Sequence, residues 1–180
     1  MKKFEEKTIN TTSIYEGKVV DLRVDEVSLP NGRTAKRELI KHPGAVAVIP
    51  ITKDNKIVLV EQFRKSLEKS LVEIPAGKVE IGEAPEVTAR RELEEETGYT
   101  TNELSFVTSF YTSPGFADEL MHIYITDELE KMDTPPASDE DEFVEVLELT
   151  LDEAKELVEQ ERIHDAKTNY AILYLHALGR

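Results

Sequence analysis

The sequence predicts an α+β protein: a small antiparallel β unit at the N-terminus, then a mixed sheet accompanied by about three helices. Three observations carry this. Period-two alternation runs through "GKVVDLRVDEVSLPNGRTAKRELIKH" on both sides of Pro30-Asn31-Gly32. Short apolar runs of strand length follow it. Helix-start and helix-stop signals bracket a segment in the middle of the chain and others near its end.

Taken in order, the first stretch is a hairpin with its turn at Pro30-Asn31-Gly32, and "HPG" at 42–44 ends the pattern. That break divides the chain into an N-terminal β domain, 1–42, and a larger domain, 43–180. "AVAVIPIT" and "KIVLVEQFR", joined at "KDN", are core strands. Pro85 suits the first turn of a helix and Gly98 its end, so a helix is expected over 85–97. "FVTSFYTSPG", "LMHIYIT" and "FVEVLEL" are further strands. Thr150 followed by Glu153 forms a capping box for the helix "LDEAKELVEQ", and "NYAILYLHAL" closes the chain as an amphipathic helix.

With 180 residues, 39% hydrophobic and 33% charged, the chain has enough material for a real core. It holds no cysteine, which excludes disulfides and thiolate metal sites. No apolar h-region follows "MKKFEEKTIN" and no apolar run is long enough to span a bilayer, so a cytoplasmic protein is expected. The net charge of −15 is uneven. Up to residue 42 there are nine Lys/Arg and seven Asp/Glu, a balance of +2; beyond it there are 13 and 30, a balance of −17. Such a surface disfavours nucleic acid and anionic membranes as partners.

The densest acidity lies in "GKVEIGEAPEVTARRELEEETGY", residues 77–99. At about 100° per residue, Glu92, Glu95 and Glu96 share one helical stripe. Like charges four apart cost roughly 0.2–0.5 kcal/mol. Acids at the negative end of the helix dipole cost about 0.3–1 kcal/mol each. A divalent cation would reverse both penalties, and hard carboxylate oxygens suit Mg²⁺, with Mn²⁺ as the alternative. A solvated acidic face is the competing explanation from charge alone.

The spacing goes further. Gly77, Glu83, Arg91-Glu92-Leu93, Glu95-Glu96 and Gly98 stand at the fixed separations of the Nudix box, which this segment resembles. The one mild departure is Tyr99, where an aliphatic residue is usual. The resemblance implies a Nudix-type α/β/α sandwich that uses Mg²⁺ to cleave a nucleoside diphosphate linked to another moiety. By position, it makes Glu92 and Glu96 the principal metal ligands, with Glu95 close by and the backbone carbonyl of Ala76 as a further ligand. Arg91 would orient the glutamates, while Gly77 and Gly98 would supply turn geometry. His42, His122, His164 and His176 show no ligand spacing and are expected to be structural or surface residues.

Other stretches are similar to the ADP-ribose pyrophosphatase subgroup: Pro114 in "SPGFADE", "KREL…HPGAVAVIP" over 36–50, "EQFR" at 61–64 and "EIPAGK" at 73–78. This subgroup resemblance spans most of residues 14–180. It implies ADP-ribose as substrate, with Arg37 and Arg64 as arginine forks for its phosphates. Glu38, Ser113, Gly115 and Glu119 match further substrate-contact positions. It also implies a homodimer in which the N-terminal β unit is exchanged, bringing Arg37 to the partner's site. The same resemblance implies a general base in the acidic loop "PPASDEDEFVEV", with Glu140 as the base and Glu142 as a supporting, metal-contacting residue; by composition alone the loop would be a solvated acidic one. Two alternatives stay open. One is the same chemistry on a nucleotide sugar, NADH or another dinucleotide; the other is a non-catalytic ADP-ribose sensor.

Overall fold

A computed structural model describes residues 3–136 and 143–180; residues 1–2 and 137–142 lie outside it. In chain order the elements are β1 (Lys7–Glu16), β2 (Asp21–Ser28), β3 (Thr34–Lys41), β4 (Ala45–Pro50), β5 (Ile57–Arg64), β6 (Lys69–Glu73), β7 (Ala76–Lys78), α1 (Pro85–Thr97), β8 (Tyr99–Thr100), β9 (Ser105–Tyr111), β10 (Leu120–Thr126), β11 (Glu130–Lys131), β12 (Val144–Leu149), α2 (Leu151–Glu159) and α3 (Ala166–Ala177). They form two compact units. One comprises Met1–Gly44 with Phe110–Leu120, the other Ala45–Ser109 with Met121–Arg180.

In the first unit β2 and β3 pair from Ser28↔Thr34 to Asp21↔Lys41 across the Pro30-Asn31-Gly32 turn, the hairpin that alternation predicts. A third strand, β1, adds antiparallel to β2. The sequence reading does not include it, for a physical reason: all ten of its residues are exposed, so its side chains carry no alternation to read. Its ladder holds it, and so do two threonines. Thr11 and Thr8 donate from Oγ1 to the buried Asp25 carboxylate at 2.8 and 3.2 Å. The 110–120 segment is sewn to the end of β3: the Ile40 N–H donates to the Phe116 carbonyl at 2.7 Å, and Lys41 pairs with Asp118.

In the second unit β4 lies parallel to β10, from Ala45↔Met121 to Pro50↔Thr126, and β7 pairs antiparallel with β4. The mixed sheet runs β7-β4-β10-β9, and a second sheet runs β12-β5-β6. Every residue of β4 is buried, as an unbroken apolar run should be when both faces of its sheet are covered. The sequence reading joins β4 and β5 at "KDN". The turn is there, closed by the bridge Ile51↔Ile57, but the two strands part into different sheets. Both are apolar on two faces over the buried residues, so each takes its own partners. Ala89 and Leu93 of α1 pack with Val46, Val48, Val58, Tyr124 and Leu129 in one core cluster.

The helix boundaries follow their caps. α2 starts behind a complete Thr150/Glu153 capping box. α3 starts three residues before the expected "NYAIL", because Asp165 caps it by accepting the Thr168 N–H at 3.0 Å. No helix among the described residues is long and apolar enough to cross a membrane.

Candidate active site

The site grows from the connection between β6 and α1. Ala84 is extended and Pro85 opens the helix; Gly98 ends it at φ 70°, in the left-handed region, and its N–H caps the Glu94 carbonyl at 3.0 Å. Gly98 therefore has the turn role expected of it. Gly77 does not. Its φ is not positive, and a Cβ there would stand 2.0 Å from the Glu92 carboxyl carbon and from its Oε1. Glycine is needed at 77 so that the Glu92 carboxylate can lie against the backbone of β7.

Glu92 and Glu96 are both more than nine-tenths buried, on the face of α1 that also buries Ala89 and Leu93. The Ala76 N–H donates to Glu96 Oε2 at 2.9 Å, fixing β7 to the helix. Arg91 gathers the acids: its Nη1 lies 2.9 Å from both Glu92 and Glu95, and its Nη2 lies 3.3 Å from Glu83. Burial works against the Arg91 charge, but these three carboxylates outweigh it and raise its proton affinity. Glu83 is held below the usual carboxylate range by the Thr88 hydroxyl, which donates at 2.7 Å, and by Arg91. At the end of the segment Tyr99, the unusual residue, donates its hydroxyl to Glu148 of β12 at 2.6 Å. That bond pushes the phenol up to about 12.

The donor set suits a hard divalent cation: carboxylate oxygens on a single helix stripe, with the β7 backbone held against Glu96 and a bare α-carbon at Gly77 making room. Among the described residues, no three His, Asp or Glu side chains converge as they would around an ion. Arg91 lies between Glu92 and Glu95 and supplies the compensating charge.

The structure thus joins Ala76 to Glu96 by a hydrogen bond, and Glu92 to Glu95 through Arg91. Arg64, at the end of β5 in the same unit, is clamped by the buried Glu73. Burial opposes the Arg64 charge; Glu73, with Glu96 and Asp165 behind it, raises its proton affinity nonetheless. Arg37 and Glu38 lie on β3 in the first unit, with Arg37 forked onto Glu6 at 2.6 and 2.9 Å. Also there, the Ser113 carbonyl accepts the N–H groups of Phe116 and Ala117, forming the turn that carries Gly115. Glu119 takes the Thr112 hydroxyl and faces His42 Nε2 at 3.8 Å. Glu140 and Glu142 lie outside the described residues.

Two residues escaped the sequence reading, Glu73 and Lys167. Lys167 Nζ reaches Glu73 at 3.0 Å. The available signal was an acid inside the apolar run "LVEIP", since a buried carboxylate requires cations.

Comparison with known proteins accords with this geometry. Residues 41–169 match the NUDIX domain. The chain belongs to the NUDIX family. Residues 6–40 match the nucleoside diphosphate sugar hydrolase N-terminal domain. The NUDIX-family chain is 59% identical over 175 residues to an ADP-ribose pyrophosphatase of Bacillus subtilis (strain 168), covering 97% of this chain and 95% of that one. It is 60% identical over 174 residues to a methanol dehydrogenase activator of Bacillus methanolicus, covering 97% and 94%. The crystal structure of an ADP compounds hydrolase shares the fold at a TM-score of 0.84 and 20% identity, covering 97% and 94% of the two chains. Hydrolases of this family generally use divalent metals such as Mg²⁺.

Proposed function

We propose that this protein hydrolyses ADP-ribose to AMP and ribose 5-phosphate. The observation that carries the reading is the match, along nearly the whole chain, to the Bacillus subtilis ADP-ribose pyrophosphatase. In the reaction a water oxygen bonds to one phosphorus, the bridging P–O bond breaks, and the water's proton passes to a carboxylate. We assign that carboxylate to Glu140. Mg²⁺, or Mn²⁺ in its place, would be held by Glu92, Glu95, Glu96, the Ala76 carbonyl and Glu142, and would supply charge neutralisation for the diphosphate. The protein's own part is positioning. Arg91 keeps like charges gathered, Gly77 admits the Glu92 carboxylate, and Arg64 offers a fork to a phosphate. Arg37, Glu38, Ser113, Gly115 and Glu119 complete the substrate contacts in this reading.

A panel of ADP-ribose, nucleotide sugars and NADH with Mg²⁺ tests it, with ADP-ribose expected to give the highest kcat/KM. The N-terminal match makes nucleotide sugars the first competitor, and a preference for one would replace the assignment. Binding of ADP-ribose without turnover at saturating metal would identify a sensor. A second reading, activation of a methanol dehydrogenase, rests on the relative of that name. Adding the chain to such a dehydrogenase and finding its rate unchanged would remove it.

The first 42 residues are proposed as a dimerisation domain ahead of a catalytic domain, 43–180, in a cytoplasmic homodimer. Arg37, held by Glu6 here, would exchange that partner for substrate at the partner protomer's site. Light scattering should give twice the chain mass of 20.4 kDa; a fully active monomer would end the proposal.

Gly77→Ala gives a sharper test of the site geometry. The added methyl collides with the flexible end of Glu92, so the fold should survive with a near-normal Tm while that carboxylate is displaced. An ångström of misplacement near the chemistry can cost about 10²-fold in rate, and that loss is expected in kcat. Wild-type turnover by this variant would show that the resting place of Glu92 is unimportant.

A further inference from the structure

Behind Arg64 lies a charged cluster in which two cations share one buried carboxylate. The Glu73 side chain is 4% exposed. Arg64 grips it through Nε, 3.2 Å from both oxygens, and through Nη2. Lys167 grips it through Nζ at 3.0 Å, and its own side chain is 12% exposed. Lys167 also holds Asp165 Oδ1 at 3.0 Å, the same oxygen that caps α3. One residue along from Glu73, the Ile74 N–H donates to the buried Thr168 hydroxyl at 3.0 Å. The first turn of α3 thus fixes Glu73 from behind, and Glu73 fixes Arg64.

This arrangement has two consequences for a bound anion. A guanidinium held through Nε and Nη2 is fixed in plane, with its Nη1 side turned away from the carboxylate. A lone buried Glu73 would also cancel most of the Arg64 charge, leaving little for a ligand. Lys167 competes for that negative charge. Burial alone would raise the Glu73 carboxyl, yet Arg64 and Lys167 together bring it below its ordinary value, so it stays ionised and serves both.

We propose that Glu73 and Lys167 are positioning residues for Arg64: Glu73 fixes the plane in which the guanidinium meets a diphosphate, and Lys167 shares the Glu73 charge so that Arg64 is not neutralised by its own clamp. The proposal rests on the reading of Arg64 as a phosphate-binding residue. The competing role for Lys167 is a tie between α3 and β6 that affects stability alone.

The test uses the full chain with Lys167→Met and Lys167→Arg, each also combined with Arg64→Ala. It reads KM and kcat for ADP-ribose with Mg²⁺, the calorimetric affinity for inorganic pyrophosphate, and Tm. Lys167→Met should raise KM and weaken pyrophosphate binding on the order of 10-fold, with kcat nearly unchanged. Lys167→Arg should restore both. In the Arg64→Ala background, Lys167→Met should add less than about twofold, because the residue it acts through is gone. If Lys167→Met does not fold, Lys167→Gln, which keeps a donor without the charge, carries the same expectation. A lower Tm with KM and pyrophosphate affinity unmoved overturns the proposal, and so does an equal loss with or without Arg64. Should the wild-type chain fail to hydrolyse ADP-ribose, the functional reading falls, and the pyrophosphate arm still decides this one.

Discussion

Glu92→Gln and Glu96→Gln should each lower turnover at saturating Mg²⁺ by about 10²–10³-fold, the scale on which loss of a key charge-stabilising group acts. Neither should unfold the protein. Glutamine preserves shape, and at 96 its amide oxygen can still accept the Ala76 N–H that joins β7 to α1. The two variants should differ in metal-free stability. Glu96→Gln removes a buried charge and relieves a like-charge neighbour four residues from Glu92, worth roughly 0.2–0.5 kcal/mol, but gives up its attraction to the Arg64 guanidinium, so it should be near neutral. Glu92→Gln gains the same relief but gives up the Arg91 contact at 2.9 Å, so it should be the less stable of the two. Melting in chelator against melting in Mg²⁺ separates the effects: added metal should stabilise the wild type and do little for either variant. If both stay within a few-fold of wild-type activity, these carboxylates do not hold the metal.

How far the sequence could be read follows from which residues carry periodic or positional information. The α1 boundaries were legible because Pro85 and Gly98 are local signals, and the burial of Glu92 and Glu96 on a single face follows from their spacing of four. The role of Gly77 was not, since close approach of a side chain from another element leaves no local trace; only the glycine itself hints at it. β1 was invisible because an exposed strand has no apolar rhythm. The Arg64–Glu73–Lys167 cluster joins residues far apart in the chain, and nothing in the composition pairs them. Arg91 shows the limit most clearly. Its pairing with Glu95 four residues on was readable, but not its simultaneous hold on Glu83, which depends on how the loop before the helix folds back.

Glu140→Gln should lower kcat by about 10²–10⁴-fold with little change in KM, the usual cost of losing a general base. Glutamates that neutralise a bound cation are poor proton acceptors, because the cation depresses their proton affinity. A carboxylate apart from Glu92 and Glu96 is therefore needed, and the richest supply is Asp139, Glu140, Asp141 and Glu142. These four lie outside the described residues, but their flanks do not. On one side Pro135 packs beside Gly98, and the Met132 N–H donates to the Gly98 carbonyl at 2.9 Å. On the other, Glu148 of β12 accepts the Tyr99 hydroxyl at 2.6 Å. Both flanks are thus tied to the C-terminal end of the helix that carries Glu92 and Glu96. The unusual Tyr99 gains a purpose in this arrangement: an aliphatic residue could not hold β12 through such a bond. Glu142→Gln should cost less than Glu140→Gln, and Asp139→Asn and Asp141→Asn little. Four equally active variants would move the base elsewhere. Glu95 would then be next, and it would first have to leave the Arg91 guanidinium 2.9 Å away.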